Sequence, residues 1–167
     1  MASMDFEKYT GRLLDQMGKG LLLVSGVEKP NIMTIGWGSM GVYWGKPMFV
    51  AVVRPSRHTH ALLEVSGEFT VNMAYSDFKK ELGICGTVSG RDQDKFALCG
   101  YTPVPSRKVS VPVIDKCDLY LECRVAYYLD MNPDTLDMGL DMKWYKGEDY
   151  HTIYFAEILE CYERALG

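Results

Sequence analysis

The feature that most constrains the fold is a nearly continuous run of apolar residues, PMFVAVV, at residues 47–53. Its β-favouring composition predicts a strand that is buried on both faces or that lines a barrel, and Pro55 ends it. Short helices are predicted at residues 7–17 and 57–65, and glycine-broken helices between residues 76 and 98. Further strand-like runs occupy residues 20–25, 32–40, 68–73, 119–129 and 151–162. This pattern predicts a mainly β, antiparallel domain with a few short helices inserted at turns.

Length and composition set limits on the whole chain. A chain of 167 residues fits one domain, residues 1–167, in which residues 1–6 are expected to be disordered. The net charge of -4 argues against a general nucleic-acid binder. The five cysteines form no CxxC pair and have no ligand-like spacing with histidine, so neither a disulfide framework nor a structural zinc site is expected. No leader segment and no membrane-length apolar run is found, which predicts a soluble, cytoplasmic protein.

The stretch RPSRHTH, residues 54–60, gathers two arginines, two histidines, a serine and a threonine at a predicted helix start. Three interpretations compete: a metal site, an anion-binding turn and an ordinary solvated helix start. Metal binding is the weakest interpretation, because helical side chains two positions apart point in directions about 200° apart. His58 and His60 are therefore not expected to converge on one ion.

An anion-binding turn needs only groups that this stretch supplies. The N–H groups of a helix start carry partial positive charge, and Ser56 is a natural N-cap for the helix. Arg54, Arg57 and Thr59 add guanidinium and hydroxyl donors. These groups suit a phosphate monoester. Taken alone, the stretch favours a phosphate site and a solvated helix start equally.

Other segments hold further candidate residues. In NIMTIGWGSM, residues 31–40, Gly36 and Gly38 would let a flat ligand approach the backbone, although such a segment is more often a bent barrel strand. The bases of SGRDQDKF, residues 89–96, either add charge to the same ligand or lie in a solvated turn. His151, at the head of the last strand, is either structural or a hydrogen-bond donor to a ligand. The acidic stretch at residues 130–149 is interpreted as a long loop or lid.

The order of these motifs resembles the flavin reductase-like family, and most of all its flavoredoxin branch. The resemblance covers roughly residues 18–160 and rests on several short motifs in succession. These motifs are residues 31–37, 46–47, 57–59, 66–72, 89–90 and 94–96, followed by His151. The resemblance implies a Greek-key split β-barrel that binds FMN non-covalently and forms a homodimer, with the flavin near the subunit interface.

The same resemblance assigns most of the candidate residues to the flavin. Those expected to line the isoalloxazine are Asn31, Met33, Thr34, Ile35, Gly36 and Trp37. Those expected around the phosphate are Ser56, Arg57, Thr59 and Arg54. Those expected near the same pocket from later segments are Asn72, Ser89 and Lys95. His151 is the candidate catalytic residue beside the flavin or the nicotinamide, whereas His58 and His60 are expected to take no part, and no metal is expected.

The predicted function is that of a flavin reductase-like oxidoreductase. It would move a hydride from NAD(P)H to flavin and pass electrons to an unidentified acceptor. Two alternatives stay open: a flavoredoxin-type electron carrier without its own nicotinamide site, and a cofactor-free binding module. The absence of a Walker loop and of a GxGxxG fingerprint disfavours a P-loop nucleotidase and a Rossmann dehydrogenase. The expected partners are NAD(P)H, the acceptor and a second copy of the chain, with no nucleic acid and no membrane.

Overall fold

In the computed structural model, which describes residues 6–164, β-strands form the framework and short helices fill the connections. The strands are β1 (Leu21–Ser25), β2 (Asn31–Ile35), β3 (Gly38–Tyr43), β4 (Lys46–Val53), β5 (Glu68–Met73), β6 (Pro103–Val104), β7 (Val113–Ile114), β8 (Leu119–Asp130) and β9 (Thr152–Glu163). The helices are α1 (Phe6–Met17), α2 (His58–Ser66), α3 (Lys79–Thr87), α4 (Lys95–Cys99) and α5 (Met138–Trp144), with a 3-10 helix at Pro133–Thr135. The mainly β class predicted from the sequence is confirmed.

The main sheet has seven antiparallel strands in the order β2-β1-β5-β8-β9-β4-β3. The strands β2 and β3 lie at its two opposite edges, yet only Gly36 and Trp37 separate them along the chain. Three peptide units span at most about 11 Å, so the two edges of the sheet have to curl toward each other. The sheet therefore forms an open barrel that is split between β2 and β3, with its apolar core inside.

Helix α1 packs beside β3, the strand at one edge of the sheet. A side chain at Gly38 would place its Cβ 2.8 Å from the carbonyl oxygen of Val50 and 3.1 Å from Met17 Cε. Glycine is therefore required here by close packing of the protein itself. Of the two interpretations of this segment, the bent barrel strand fits Gly38, whereas Gly36 has only the Met17 carbonyl oxygen nearby, at 3.9 Å.

Two local predictions about elements were wrong. The strand predicted at residues 32–40 is divided into β2 and β3, because the chain changes edges at Gly36 and Trp37. The glycines at positions 83 and 86 do not break a helix, since α3 runs through both of them. Of the residues expected to be disordered, residues 1–5 lie outside the described residues, and Phe6 already begins α1.

The acidic stretch at residues 130–149 is not the long loop that the sequence indicated. Its polar side chains act as helix caps: Asn132 accepts a hydrogen bond from the Asp134 N–H, and Asp137 accepts one from the Leu140 N–H at 3.1 Å. These caps begin the 3-10 helix and α5 respectively. The segment is therefore a structured connection between β8 and β9.

Residues 6–164 contain neither a membrane-spanning helix nor a cluster of metal ligands. No helix in this range combines the length and apolar character that crossing a bilayer would need. No group of three or more histidine, cysteine, aspartate or glutamate side chains in the same range could hold a metal ion.

Candidate functional site

Two neighbouring pockets open beside β2 and the end of β4. The apolar pocket has a volume of about 280 Å³ and is lined by Met33, Thr34, Ile35, Gly36, Trp37, Val52, Val53, Arg54, Arg57, Trp144 and His151. The polar pocket has a volume of about 150 Å³ and is lined by Asn31, Ser56, Arg57, His58, Thr59, Thr87, Val88, Ser89, Gly90, Arg91 and Lys95. Arg57 lines both pockets, so the two pockets adjoin each other at this residue. Every residue predicted for the site lines one of the two pockets, with the exception of Asn72.

Three cationic side chains line the polar pocket, and two of them, Arg57 and Lys95, donate to carbonyl groups of α3. Arg57 donates to the carbonyl oxygens of Gly86 at 3.0 Å and Cys85 at 3.4 Å. The ammonium of Lys95, a side chain only 4% exposed, donates to the carbonyl oxygens of Ile32 at 2.8 Å and Cys85 at 3.1 Å. The Cys85 and Gly86 carbonyls belong to the last turn of α3, where the helix dipole favours cations. Within the described residues, neither cation forms an ion pair with a carboxylate.

Burial and repulsion both act on the positive charges of this pocket. Desolvation, followed by the nearby charge of Arg57, lowers the pKa of Lys95 to about 8. Desolvation also lowers the pKa of Arg57. The pKa of His58 is lowered by burial and then by the charges of Arg91 and Lys95, so this imidazole is neutral at neutral pH. An anion placed between these groups would relieve the repulsion and restore the solvation that the cations have lost.

A close contact between two segments shapes the floor of the polar pocket. The side-chain amide of Asn31, at the start of β2, donates to the Thr59 hydroxyl at 3.1 Å and ties the strand to the first turn of α2. A Cβ at Gly90 would lie 2.0 Å from Asn31 Oδ1 and 3.0 Å from His58 Cδ2. Only glycine therefore fits at position 90. The adjacent Arg91 donates to the Ser56 carbonyl oxygen at 2.9 Å and holds this loop against the 54–56 turn.

Two of the predicted phosphate ligands have other partners in the structure. Arg54 donates to the carbonyl oxygens of Trp144 at 2.7 Å and Asp149 at 3.1 Å. The hydroxyl of Ser56 donates to Asp149 Oδ2 at 2.6 Å. The cap position of α2 is occupied by Arg57 and not by Ser56, and it makes no side-chain capping bond. The prediction of Ser56 as N-cap was therefore wrong, because Asp149, which is distant in sequence, takes its hydroxyl.

The aromatic side of the apolar pocket is formed by Trp37 between β2 and β3, Trp144 at the end of α5 and His151 just before β9. The rings of Trp37 and Trp144 meet edge to face with their centroids 4.9 Å apart, and the centroid of the His151 ring lies 5.3 Å from that of Trp37. The register of β4 with β9, in which Val53 pairs with Thr152, places His151 beside this pocket. Both tryptophan side chains remain exposed, so the pocket is open beside them.

His151 is held in a defined and uncharged state. It is 8% exposed, and its Nδ1 lies 2.7 Å from the hydroxyl of Tyr145. Burial, followed by the charge of Arg54, lowers the pKa of His151 to about 4, although the Asp149 carboxylate acts in the opposite direction. The imidazole is therefore neutral at neutral pH and can offer one donor and one acceptor.

Asn72 lies apart from both pockets. It is fully buried, its Oδ1 accepts from the Ile114 N–H at 2.9 Å, and its Nδ2 donates to the Thr70 hydroxyl at 3.0 Å. The bond to Ile114 ties β5 to β7, so Asn72 is a structural amide that lines neither pocket, in contrast to its predicted place near the cofactor.

The sequence reasoning also missed several residues that line the site. His58 was expected to take no part, yet it lines the polar pocket, while His60 bonds to the Thr152 hydroxyl at 3.0 Å. Trp144, which lines the apolar pocket, and Tyr145, which contacts His151, were missed because they lie in the stretch interpreted as a loop. The adjacent pair of large aromatic residues within an otherwise acidic segment was the signal that could have identified them.

Comparison with known proteins identifies the family of this fold and site. Residues 14–166 match the model of the flavin reductase like domain. A relative of undetermined function from Archaeoglobus fulgidus is 37% identical over 118 residues, which are 71% of this chain and 66% of the relative. The match therefore spans just under two thirds of that relative's length.

Solved structures show the same fold. The flavoredoxin from Methanosarcina acetivorans is 30% identical, with a TM-score of 0.69 over 87% of this chain and 68% of that one. The NADH:FAD oxidoreductase SgcE6 from Streptomyces globisporus C-1027 is 18% identical, with a TM-score of 0.66 over 87% of this chain and 75% of that one, and its likeness concerns the fold alone. The chain described here belongs to the flavin reductase like family, and its split barrel is the fold expected of that family.

Proposed function

We propose that this chain binds FMN non-covalently across the two pockets and acts as a flavin reductase-like oxidoreductase. The main observation behind this proposal is that two pockets of different character meet at Arg57. One pocket is aromatic and largely apolar, and the other is cationic. A flat ring system and a phosphate monoester at the end of a short chain need this pair of environments. Membership of the family and the 30% identity with a flavoredoxin support the same assignment.

The residues of the polar pocket fit a phosphate in number and kind. Arg57 and Lys95 bring positive charge that no carboxylate within the described residues neutralises. Thr59 and Ser89 add hydroxyl groups to the same lining. The position of Gly90 keeps the space open, because a side chain there would fill the region beside Asn31. The donor set therefore favours a doubly charged oxyanion over a neutral ligand.

The residues of the apolar pocket would hold and shield the ring. The end of β2 and the two residues after it, residues 33–37, line the pocket. Gly36 has no side chain, so its backbone remains accessible there. When bound, the flavin supplies the redox chemistry, accepting a hydride from a reduced nicotinamide and passing electrons to an acceptor. The Tyr145 hydroxyl lies 2.7 Å from Nδ1 of His151, and in the tautomer with the proton on Nε2 this hydroxyl donates to Nδ1, so that His151 would act as a neutral hydrogen-bond donor. This donor would stabilise negative charge on a bound ligand without adding a full positive charge.

A flavoredoxin-type electron carrier is the second candidate, and one observation favours it. Trp144 lies against Trp37 at the mouth of the apolar pocket, where a nicotinamide would have to stack. The carrier would keep the FMN site and lack a nicotinamide site of its own. Stopped-flow mixing of the flavin-loaded protein with NADH and with NADPH separates the two functions. Rapid bleaching of the flavin absorbance supports the reductase, and no bleaching with either donor supports the carrier.

The proposed homodimer is supported by an exposed apolar surface, here called the aromatic face. It consists of the exposed rings of Tyr43 and Trp44 at the β3–β4 turn together with Tyr127 in the second half of β8. The rings of Trp44 and Tyr127 are 6.5 Å apart, so these segments form one continuous patch. A contiguous apolar patch of this kind is typical of a protein–protein interface.

The dimer is tested by sedimentation of the native chain and of Trp44→Glu. A dimer that becomes a monomer on this substitution supports the interface. A native chain that sediments as a monomer at micromolar concentration contradicts it. A matched substitution outside the main sheet, Val104→Glu in β6, replaces a residue that is 39% exposed and should leave the sedimentation unchanged.

A further inference from the structure

We propose that Cys85 and Cys99 form an oxidation-sensitive disulfide site that controls the affinity of the polar pocket for phosphate. The formation of the disulfide stands on the geometry of the two thiols alone. Its effect on FMN binding rests on the function proposed above.

The two sulfur atoms already face each other. Cys85 in α3 and Cys99 in α4 have their Sγ atoms 3.7 Å apart, the distance of two thiols in contact. A disulfide requires about 2.05 Å, so the two sulfur atoms have to approach by less than the width of one atom. Cys99 is the last residue of the five-residue helix α4, which ends in the left-handed Gly100. A short helix next to a glycine is able to make this adjustment.

The accessibility of the two thiols sets the order of events. Cys85 is fully buried in the core, whereas Cys99 is only partly buried. A small oxidant in solution therefore reaches Cys99 first. Because Cys85 lies behind it at contact distance, it is placed to resolve the oxidised form of Cys99.

The pair is coupled to the polar pocket through the backbone. The carbonyl oxygen of Cys85 accepts hydrogen bonds from two of the cations that line that pocket, Arg57 and Lys95. Lys95 is also the first residue of α4, the helix that ends in Cys99. Closing the sulfur–sulfur distance would move α4 relative to α3. The ammonium of Lys95, now bridging Ile32 and Cys85 at 2.8 and 3.1 Å, would then lose its position.

The chemistry is a two-electron oxidation by a hydroperoxide such as hydrogen peroxide. The thiolate of Cys99 attacks one peroxide oxygen, the O–O bond breaks, and a sulfenic acid and one water form after protonation. The sulfur of Cys85 then attacks the sulfenic sulfur, the S–O bond breaks, and a second water leaves as the disulfide forms. Two thiols and one peroxide thus give one disulfide and two waters.

The pKa values of the thiols determine how fast this reaction runs. Burial raises the pKa of Cys85 to about 12, and burial also raises the pKa of Cys99. Since the thiolate is the nucleophile, the reaction is slow at neutral pH and accelerates as the pH rises. The pair therefore remains reduced under mild conditions and responds to sustained exposure to peroxide.

The experiment treats the full-length protein with hydrogen peroxide and follows two readouts. Mass spectrometry of the intact protein and of its peptides should show the loss of two hydrogen atoms and a bond between Cys85 and Cys99. Titration should show FMN binding about tenfold more weakly to the oxidised protein, the loss expected when one charged hydrogen bond is broken. Riboflavin, which lacks the phosphate, should bind equally to both forms. Dithiothreitol should restore the affinity for FMN.

The variant Cys99→Ser provides the control, because serine preserves the size of a partly exposed side chain and removes the bond. Before treatment, Cys99→Ser should bind FMN as tightly as the native protein, and peroxide should leave the FMN affinity of this variant unchanged. A native protein that forms no Cys85–Cys99 bond overturns the proposal, as does a bond that leaves FMN affinity unchanged. A protein that binds no flavin at all contradicts the proposed function instead, and the mass readout still reports whether the disulfide forms.

Discussion

Arg57 and Lys95 donate to the same acceptor, the carbonyl oxygen of Cys85, at 3.4 and 3.1 Å. Two cations that share one acceptor repel each other, and no carboxylate within the described residues pairs with either of them. The free energy of this arrangement improves when an anion enters the pocket. The phosphate site proposed here depends on this relationship.

The affinity for FMN should fall as the pH rises through about 8. The pKa of Lys95 is lowered to about 8 in the free protein, and a bound phosphate would raise it. Binding then takes up a proton above that pH, so the affinity should decrease by up to about tenfold per pH unit. Fluorescence titrations of FMN from pH 6 to pH 10 measure this slope. The variant Lys95→Arg keeps its positive charge throughout this range, so its FMN affinity should depend much less on pH. An equally steep decrease of FMN affinity in this variant would assign the effect to another group.

The stability of the protein should depend on the protonation of His151 in mildly acidic solution. Its pKa is lowered from 6.5 to about 4 in the folded state. Between these two values the unfolded chain binds more protons than the folded chain, so the free energy of unfolding decreases as the pH falls from about 6.5 to about 4. The expected loss is on the order of 2 kcal/mol. Urea unfolding of the native protein and of His151→Gln tests this, and equal pH profiles for the two proteins would rule out His151 as the cause.

Substituting Gly90 by alanine should damage the polar pocket. The new Cβ would lie 2.0 Å from Asn31 Oδ1, so Asn31 must move and its bond to Thr59 is strained or lost. We expect a loss of about 1 to 3 kcal/mol in stability, as for other overpacked sites, together with weaker FMN binding. Gly83→Ala is the matched control, because nothing lies within 4 Å of the added Cβ in the middle of α3. If the two variants behaved alike in thermal unfolding and in FMN titration, the close contact at Gly90 would not be real.

Removing the hydroxyl of Ser56 should affect stability more than binding. This hydroxyl donates to Asp149 and fastens the segment that carries α5, so we expect Ser56→Ala to lose about 1 kcal/mol of stability. The FMN affinity should stay within about twofold of the native value, a difference well below one charged hydrogen bond. Chemical denaturation and FMN titration of the same variant measure both quantities. A large drop in FMN affinity with unchanged stability would restore Ser56 as a direct phosphate ligand.

The long strands of the main sheet and the first helix could be predicted from the sequence because their signals are local. The run at residues 47–53 is apolar enough to indicate a buried strand by itself, and β4 covers it from Lys46 to Val53. The curl of the sheet, which brings its two edges together at Gly36 and Trp37, could not be predicted from the sequence. It results from pairing between strands far apart in sequence, and composition reveals only that a glycine lies there.

The candidate site was predictable where one segment supplies several groups and not where distant segments meet. Arg57 and Thr59 follow each other at one helix start, so their motif could be read directly. The contact of Ser56 with Asp149 joins residues 93 positions apart, and the sequence shows no sign of it. Asn72 was misassigned for a similar reason, since only the fold shows that its amide faces the core. A cytoplasmic location stays a prediction.

The central claim is that Arg57 joins a ring site to a phosphate site, and a comparison of FMN with riboflavin tests it most directly. Titration of the native protein should show much tighter binding of FMN, and Arg57→Ala should weaken FMN binding by about 1.5 to 3 kcal/mol while leaving riboflavin unaffected. Arg124→Ala, which removes a surface arginine paired with Glu157, is the control and should change neither affinity. Equal affinity of the native protein for FMN and riboflavin, or an unchanged FMN affinity in Arg57→Ala, would contradict the account.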